Sequence, residues 1–132
     1  MRYLLDTHVL VWHATGDRRL PREHARLLHR CEREIEAVGI AAITLWELAS
    51  LDAGGRLKRA VPIEDLFDWI EDNALLQVLP LTPDVALESQ RLGPEFPRDP
   101  ADQLIAATAR VHGLRLLTAD ERIRGSGTVD VV

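Results

Sequence analysis

Short, nearly uninterrupted apolar runs alternate with helix-patterned stretches along the whole chain, and this alternation restricts the fold more than any other feature. Residues 2–6 (RYLLD), 39–44 (GIAAIT), 75–81 (LLQVLPL) and 114–120 (LRLLTAD) read as strands, with 128–132 (TVDVV) as a short fifth. Between them, 7–14, 21–37, 44–53, 63–74, 82–92 and 100–113 carry helical patterning, and several open on proline or close on glycine. In the second helix Leu27, Leu28, Cys31 and Ile35 supply the apolar stripe. Strands that are near-continuous apolar runs, joined by helices, predict a parallel sheet covered on both faces. No repeat, low-complexity tract or interdomain linker interrupts the pattern. The expected architecture is one domain over residues 1–132, an α/β/α sandwich with a mostly parallel sheet of about five strands.

The bulk properties remove several classes of function. A chain of 132 residues supports one hydrophobic core and no more. No apolar run approaches the ~20 residues that cross a bilayer, and Asp6 and His8 break the first run before it resembles a signal peptide. Cys31 is the only cysteine, which excludes disulfide frameworks and thiolate zinc sites within the chain. These features fit a cytoplasmic protein. The formal net charge of −5 argues against a general nucleic-acid coat protein. The arginines are clustered, however: Arg22, Arg26 and Arg30 recur every four residues, and Arg56, Lys58 and Arg59 form a second group. Either group is a solvated helix face balanced by neighbouring glutamates or a rim that follows phosphates.

In open α/β sheets, ligands bind beyond the carboxyl ends of the strands. Asp6 ends the first strand, Glu47 follows the second, Asp120 follows the fourth, and Asp99 and Asp102 open the helix before it. Helix capping accounts for any one of these acids, and Thr44–Glu47 even has the spacing of a capping box. Capping does not account for the set. Glu47 is the only charged residue between Ile40 and Leu51, and Asp102 shares its helix face with Ile105, Ala106 and Ala109. Two like charges about 4 Å apart repel by roughly 4 kcal/mol at an effective dielectric near 20. Carboxylates gathered in one pocket therefore need protons or a cation, and an all-oxygen site suits Mg²⁺ or Mn²⁺. The five histidines have no zinc-type spacing, and there is no P-loop, G-x-S-x-G or G-x-G-x-x-G.

The stretches YLLDTHVLVW, AAITLWELA and RDPADQLIAATARVHGLRLLTADERI, in that order, resemble the PIN-domain endoribonucleases, and more closely the VapC-type toxins of toxin–antitoxin pairs. The resemblance runs from residue 2 to 132. It implies an α/β/α fold and hydrolysis of RNA phosphodiester bonds by a metal-activated water. It places the family's catalytic and metal-holding acids on Asp6, Glu47, Asp102 and Asp120, with Asp99 either a further ligand or only a helix cap. Mg²⁺ or Mn²⁺ is the implied cofactor, and the implied partners are RNA, a second copy in a homodimer and a small antitoxin. Three tryptophans, Trp12, Trp46 and Trp69, and the apolar faces of the early helices exceed the obvious needs of a small core. That excess suggests a symmetric dimer, and an antitoxin covering Arg22–Glu36 and Trp46–Leu57 that brings an arginine or lysine to the acids. Arg22, Arg26, Arg30, Arg56, Lys58 and Arg59 are the candidate RNA-backbone contacts.

The competing class is a non-catalytic α/β regulatory or RNA-binding module. A phospho-receiver needs paired acids after its first strand and a lysine after its last; here Thr7 follows Asp6 and that lysine is missing. A dehalogenase-type phosphatase needs an aspartate where His8 stands.

Overall fold

A computed structural model describes residues 1–57 and 61–132. The elements in chain order are β1 (Tyr3–Leu5), α1 (Thr7–Thr15), α2 (Arg22–Glu34), β2 (Val38–Ala41), α3 (Ala42–Ala53), α4 (Ile63–Asp72), β3 (Leu76–Leu79), α5 (Pro83–Ser89), α6 (Pro100–His112), β4 (Arg115–Leu117) and α7 (Glu121–Ser126). The sheet order is β3-β2-β1-β4 and every pairing is parallel. Leu5 sits opposite both Ile40 and Leu117, so β1, β2 and β4 end at one edge.

The pleat divides the core in two. Tyr3, Leu5, Val38, Ile40 and Leu117 point to one face and pack with Val9, Leu28, Leu48 and Leu66 of the first four helices. Leu4, Ala41 and Leu116 point to the other and pack with Ile105, Ala106, Ala109 and Ile123 of α6 and α7. Two layers of helix on a parallel sheet are the expected architecture, and they explain why the two central strands, β1 and β2, are buried at every position.

The differences in detail have local causes. Four strands form instead of five, because the C-terminal run meets the sheet at one bridge only, Leu116 to Val131. Strand β2 begins at Val38 and stops at Ala41, one residue earlier at its start and three residues earlier at its end than the apolar run 39–44. An ideal Cβ on Gly39 would approach Leu4 Cδ1, Leu79 Cδ1 and Met1 Sδ to 3.1 Å, which favours the smallest residue there. Helix α3 consequently starts at Ala42, two residues earlier than the patterning implies. Trp69 packs against the first core cluster and Trp12 is half-buried, so of the three tryptophans only Trp46 is exposed.

Ile35 is the clearest departure. It does not extend the apolar stripe of α2 but ends the helix in the left-handed region, at φ 55° and ψ 40°, with 80% of its surface exposed. A β-branched residue is poorly suited to that conformation, which costs an L-residue about 1–2 kcal/mol. Ile35→Gly should therefore raise stability by about 1 kcal/mol, part of the relief being offset by the greater freedom of glycine in the unfolded chain. Urea denaturation measures this, and a stability at or below that of the parent chain would refute it.

Candidate active site

The carboxyl edge of the sheet is closed by Asp6. Its Oδ1 accepts from the Thr7 amide at 2.8 Å, which caps α1, and its Oδ2 accepts from Thr118 Oγ1 at 2.6 Å. Only 6% of the residue is exposed. Asp6 is thus a helix cap and, on the same side chain, one wall of a cleft of about 360 Å³ that also receives Glu47, Asp99, Asp102 and Asp120.

Each acid reaches the cleft from a different element. Glu47 lies in the second turn of α3, not its first, because the helix begins at Ala42. The capping-box role is therefore absent: Ala41 is the N-cap, and Thr44 is buried within the helix, where its hydroxyl meets that of Thr7 at 3.2 Å. Asp99 caps α6 by accepting from the Asp102 amide at 3.1 Å, while Asp102, in the first turn, turns into the cleft. Asp120 caps α7 by accepting from the Arg122 amide at 2.9 Å. One carboxylate oxygen from each of Glu47, Asp99 and Asp102 lies within 4.8 Å of the other two. Asp6 and Asp120 line the same cleft outside this tight triad.

Burial and mutual repulsion set the electrostatics. Desolvation raises the Asp6 carboxyl, against the lowering effect of its bonds from Thr118 and Thr7. Desolvation also raises Glu47, with repulsion from Asp6 and Asp99 added and a hydrogen bond from Thr7 opposing. Asp102 is pushed up to about 7, first by desolvation and then by Asp6, Asp99, Glu47 and Asp120. Burial works upward on Asp120 too, but hydrogen bonds and charge from Arg122 outweigh it and hold the group below its ordinary value. Three acids that resist ionisation around one cleft form a site short of positive charge. Its donors are all carboxylate oxygens, the set that suits a hard divalent cation.

Arg122, which sequence patterning did not single out, is the cationic member of the cleft lining. Its guanidinium lies 3.1 Å from Asp120 and 3.9 Å from Asp102, and its side chain is 69% exposed. It comes two residues after a candidate acid, on a short helix, where neither periodicity nor spacing marks it. Nor did patterning mark Thr7 and Thr118, which order Asp6 through the Thr7 amide and the Thr118 hydroxyl. The candidate RNA-backbone contacts divide. Arg56 lines a cleft beside the acids, with Glu47 and Asp99. Arg26 and Arg30 instead line a cleft with Tyr3, Arg33 and Arg115, at the start of β1 and β4 and so at the opposite edge of the sheet. Arg22 is exposed on α2 and lines neither cleft, while Lys58 and Arg59 lie outside the described residues.

A parallel α/β/α sheet with carboxylates gathered at its carboxyl edge puts an acidic cleft where open α/β sheets bind their ligands, and comparison with known proteins gives the family. The PIN domain model matches residues 3–125. Ribonuclease VapC22 of Mycobacterium tuberculosis is 36% identical over 122 residues, covering 92% of this chain and 88% of that protein. The chain belongs to the PIN-domain family, among its VapC-type ribonuclease toxins. The crystal structure of FitAcB from Neisseria gonorrhoeae matches with a TM-score of 0.66 at 27% identity, over 98% of this chain and 95% of that one. VapBC2 from Rickettsia felis, bound to a DNA fragment from its promoter, matches over 100% and 98% with a TM-score of 0.72; at 18% identity it speaks for the fold alone.

The raised Asp102 carboxyl has a consequence for stability. In the folded chain it holds its proton up to about 7, and in the unfolded chain it releases it near 3.8. Between those values the folded state binds more protons, so stability is greatest at the acid end and is lost as pH rises through 7. With a chelator present, urea denaturation should show less stability at pH 8 than at pH 5. Asp102→Asn should flatten that slope, and an equal slope in the variant would remove Asp102 as its source.

Proposed function

We propose that the protein is a metal-dependent endoribonuclease whose cleft holds Mg²⁺ or Mn²⁺ through Glu47, Asp99 and Asp102, with Asp6 and Asp120 completing the charge. The observation that carries this reading is the convergence of five carboxylates, three of them resisting ionisation, in one cleft at the carboxyl edge of the sheet. A bound divalent ion supplies a more acidic water and charge neutralisation at phosphorus. The chain supplies the rest. Thr118 and Thr7 fix the Asp6 carboxylate in one orientation. Glu47 is held at mid-helix on a rigid element packed by Leu48. Arg122 stands at the cleft mouth, where a phosphate would meet a guanidinium before it meets the acids. Attack by water on phosphorus, with the 3′ oxygen as the leaving group, would give a 5′-phosphate and a 3′-hydroxyl and no 2′,3′-cyclic phosphate.

The protein acts as a symmetric homodimer and is neutralised by a small antitoxin chain. Val78, Leu81 and Leu87, each about half exposed along β3 and α5, supply apolar surface for association. The antitoxin covers α2 and the Trp46–Leu57 segment and offers a basic side chain to the acids. Sedimentation at micromolar concentration should give a dimer, and co-expression with the neighbouring small reading frame should give co-purification. A monomer, or a chain that purifies alone, would refute the respective part.

Asp6→Asn tests the nuclease reading most directly. The amide oxygen can still cap α1 through Thr7, so the fold loses at most about 1 kcal/mol. Without metal, stability should hold or rise, because one charge leaves a repulsive cluster. Cleavage of RNA and the Mn²⁺-induced shift in melting should both be lost. Retention of both in the variant would leave Asp6 a cap and overturn the proposed site.

A further inference from the structure

A second cleft of about 190 Å³ adjoins the acid cleft and shares Glu47, Leu51 and Asp99 with it. Its remaining walls include Trp46, Ser50 and Arg56. Trp46 is 63% exposed, although an indole is among the side chains that gain most from burial. The other two tryptophans are partnered: Trp12 lies beneath Arg19 and beside His8, and Trp69 packs against His13 and the first core cluster. Among the described residues, Trp46 has no ring, cation or hydrogen-bond contact of this kind. It stands on α3 immediately before Glu47, so the helix that presents a carboxylate to one cleft presents an open aromatic face to the next.

We propose that Trp46 and Arg56 form a subsite for one unpaired nucleotide of the RNA strand, next to the phosphate held at the acids. The inference rests on the ribonuclease reading and adds how the strand is held. The indole stacks on the base, and the Arg56 guanidinium takes a neighbouring phosphate that the carboxylates would otherwise repel. Charge and continuity both favour this occupant: the subsite shares Glu47, Leu51 and Asp99 with the acid cleft and carries Arg56 on its wall. Every base has a π-face, so the subsite selects an unpaired nucleotide over a paired one without reading its identity. A base in a duplex is already stacked and cannot reach the ring.

The test compares Trp46→Ala and Trp46→Phe with the parent chain on a single-stranded oligoribonucleotide in Mg²⁺. Both variants remove an exposed group, and melting curves confirm that they fold. Trp46→Ala should raise KM about tenfold or more, the range of one lost base stack, with kcat changed less than threefold. Trp46→Phe should recover most of the loss. An abasic residue is then moved along the oligonucleotide. At one position it should raise the parent's KM by the same factor and make Trp46→Ala and parent alike. On a Glu47→Gln background, which is expected to prevent cleavage, the oligonucleotide should quench indole fluorescence, and Trp46→Phe should remove most of the quench, leaving at most the part due to Trp12 on the acid cleft. A KM within twofold of the parent in Trp46→Ala, or no position-dependent abasic effect, overturns the subsite. So does a Trp46→Ala chain that keeps its KM while losing the antitoxin, which would leave this face to the antitoxin alone. A parent chain that neither cuts nor binds RNA in Mg²⁺ or Mn²⁺ overturns the ribonuclease reading and the subsite with it. A parent that cuts, with an indifferent variant, overturns the subsite alone.

Discussion

The hydrogen bond from Thr118 to Asp6 joins the ends of two neighbouring parallel strands, and the geometry of the cleft follows from it. Asp6 is buried, yet it is needed where it stands, because its other oxygen starts α1. A buried carboxylate must be hydrogen-bonded to be tolerated. Thr118 provides that bond, and the same hydroxyl accepts from the Asp120 amide at 3.1 Å, which sets the turn into α7. One threonine thus fixes the first acid, orients the last, and holds β4 beside β1 at the edge where Glu47 and Asp102 arrive from α3 and α6. The parallel topology makes this convergence automatic, since strands of one direction share one carboxyl edge.

The fold keeps these acids together against their own repulsion. Asp99 and Asp120 offset part of the strain locally, each by capping the helix it begins, where the positive end of the macrodipole favours a carboxylate. Glu47 and Asp102 cap no helix, although Asp102 lies in the first turn of α6, and both are raised by desolvation and by the neighbouring acids. Arg122 is placed to relieve the cluster, but as an exposed side chain on a six-residue helix it is screened and loosely held. Its weakness suits the proposed chemistry. A buried lysine in its place would stabilise the apo fold and oppose the entry of any cation.

Much of this was legible in the sequence, and the rest was hidden for definite reasons. Continuous apolar strands gave the sheet and its two covered faces. Acids at strand ends gave the cleft, because position after a parallel strand fixes an edge of the sheet. Boundaries within a few residues were not legible: Ala41 to Thr44 suits a strand and a helix equally, and tertiary packing places the break at Ala41. Ile35 fits the apolar period of α2, but the period cannot show that the helix has already ended. Arg26 and Arg30 have helical spacing, yet spacing fixes a face of α2 and not an edge of the sheet, and that face lies away from the acids. Arg122, Thr7 and Thr118 act through contacts between distant elements, which no local pattern records.

The separation of acids from arginines also limits how RNA can be held. The chain carries a net charge of −5, and five of its carboxylates line the cleft, with Arg26, Arg30, Arg33 and Arg115 at the far edge. A phosphate approaching the acids without a cation meets repulsion that Arg122 and Arg56 only partly offset. On the proposed reading, a divalent ion removes that repulsion, and the phosphate in turn adds oxygens around the ion. Each ligand then strengthens the other by the same factor, as linkage requires of two ligands that share one site. The raised Asp102 carboxyl belongs to the same cycle, since its proton is the simplest competitor for the place the ion would take. Proton, metal and RNA would therefore act on one charge deficit, which is built by the parallel sheet and held in place by Thr118.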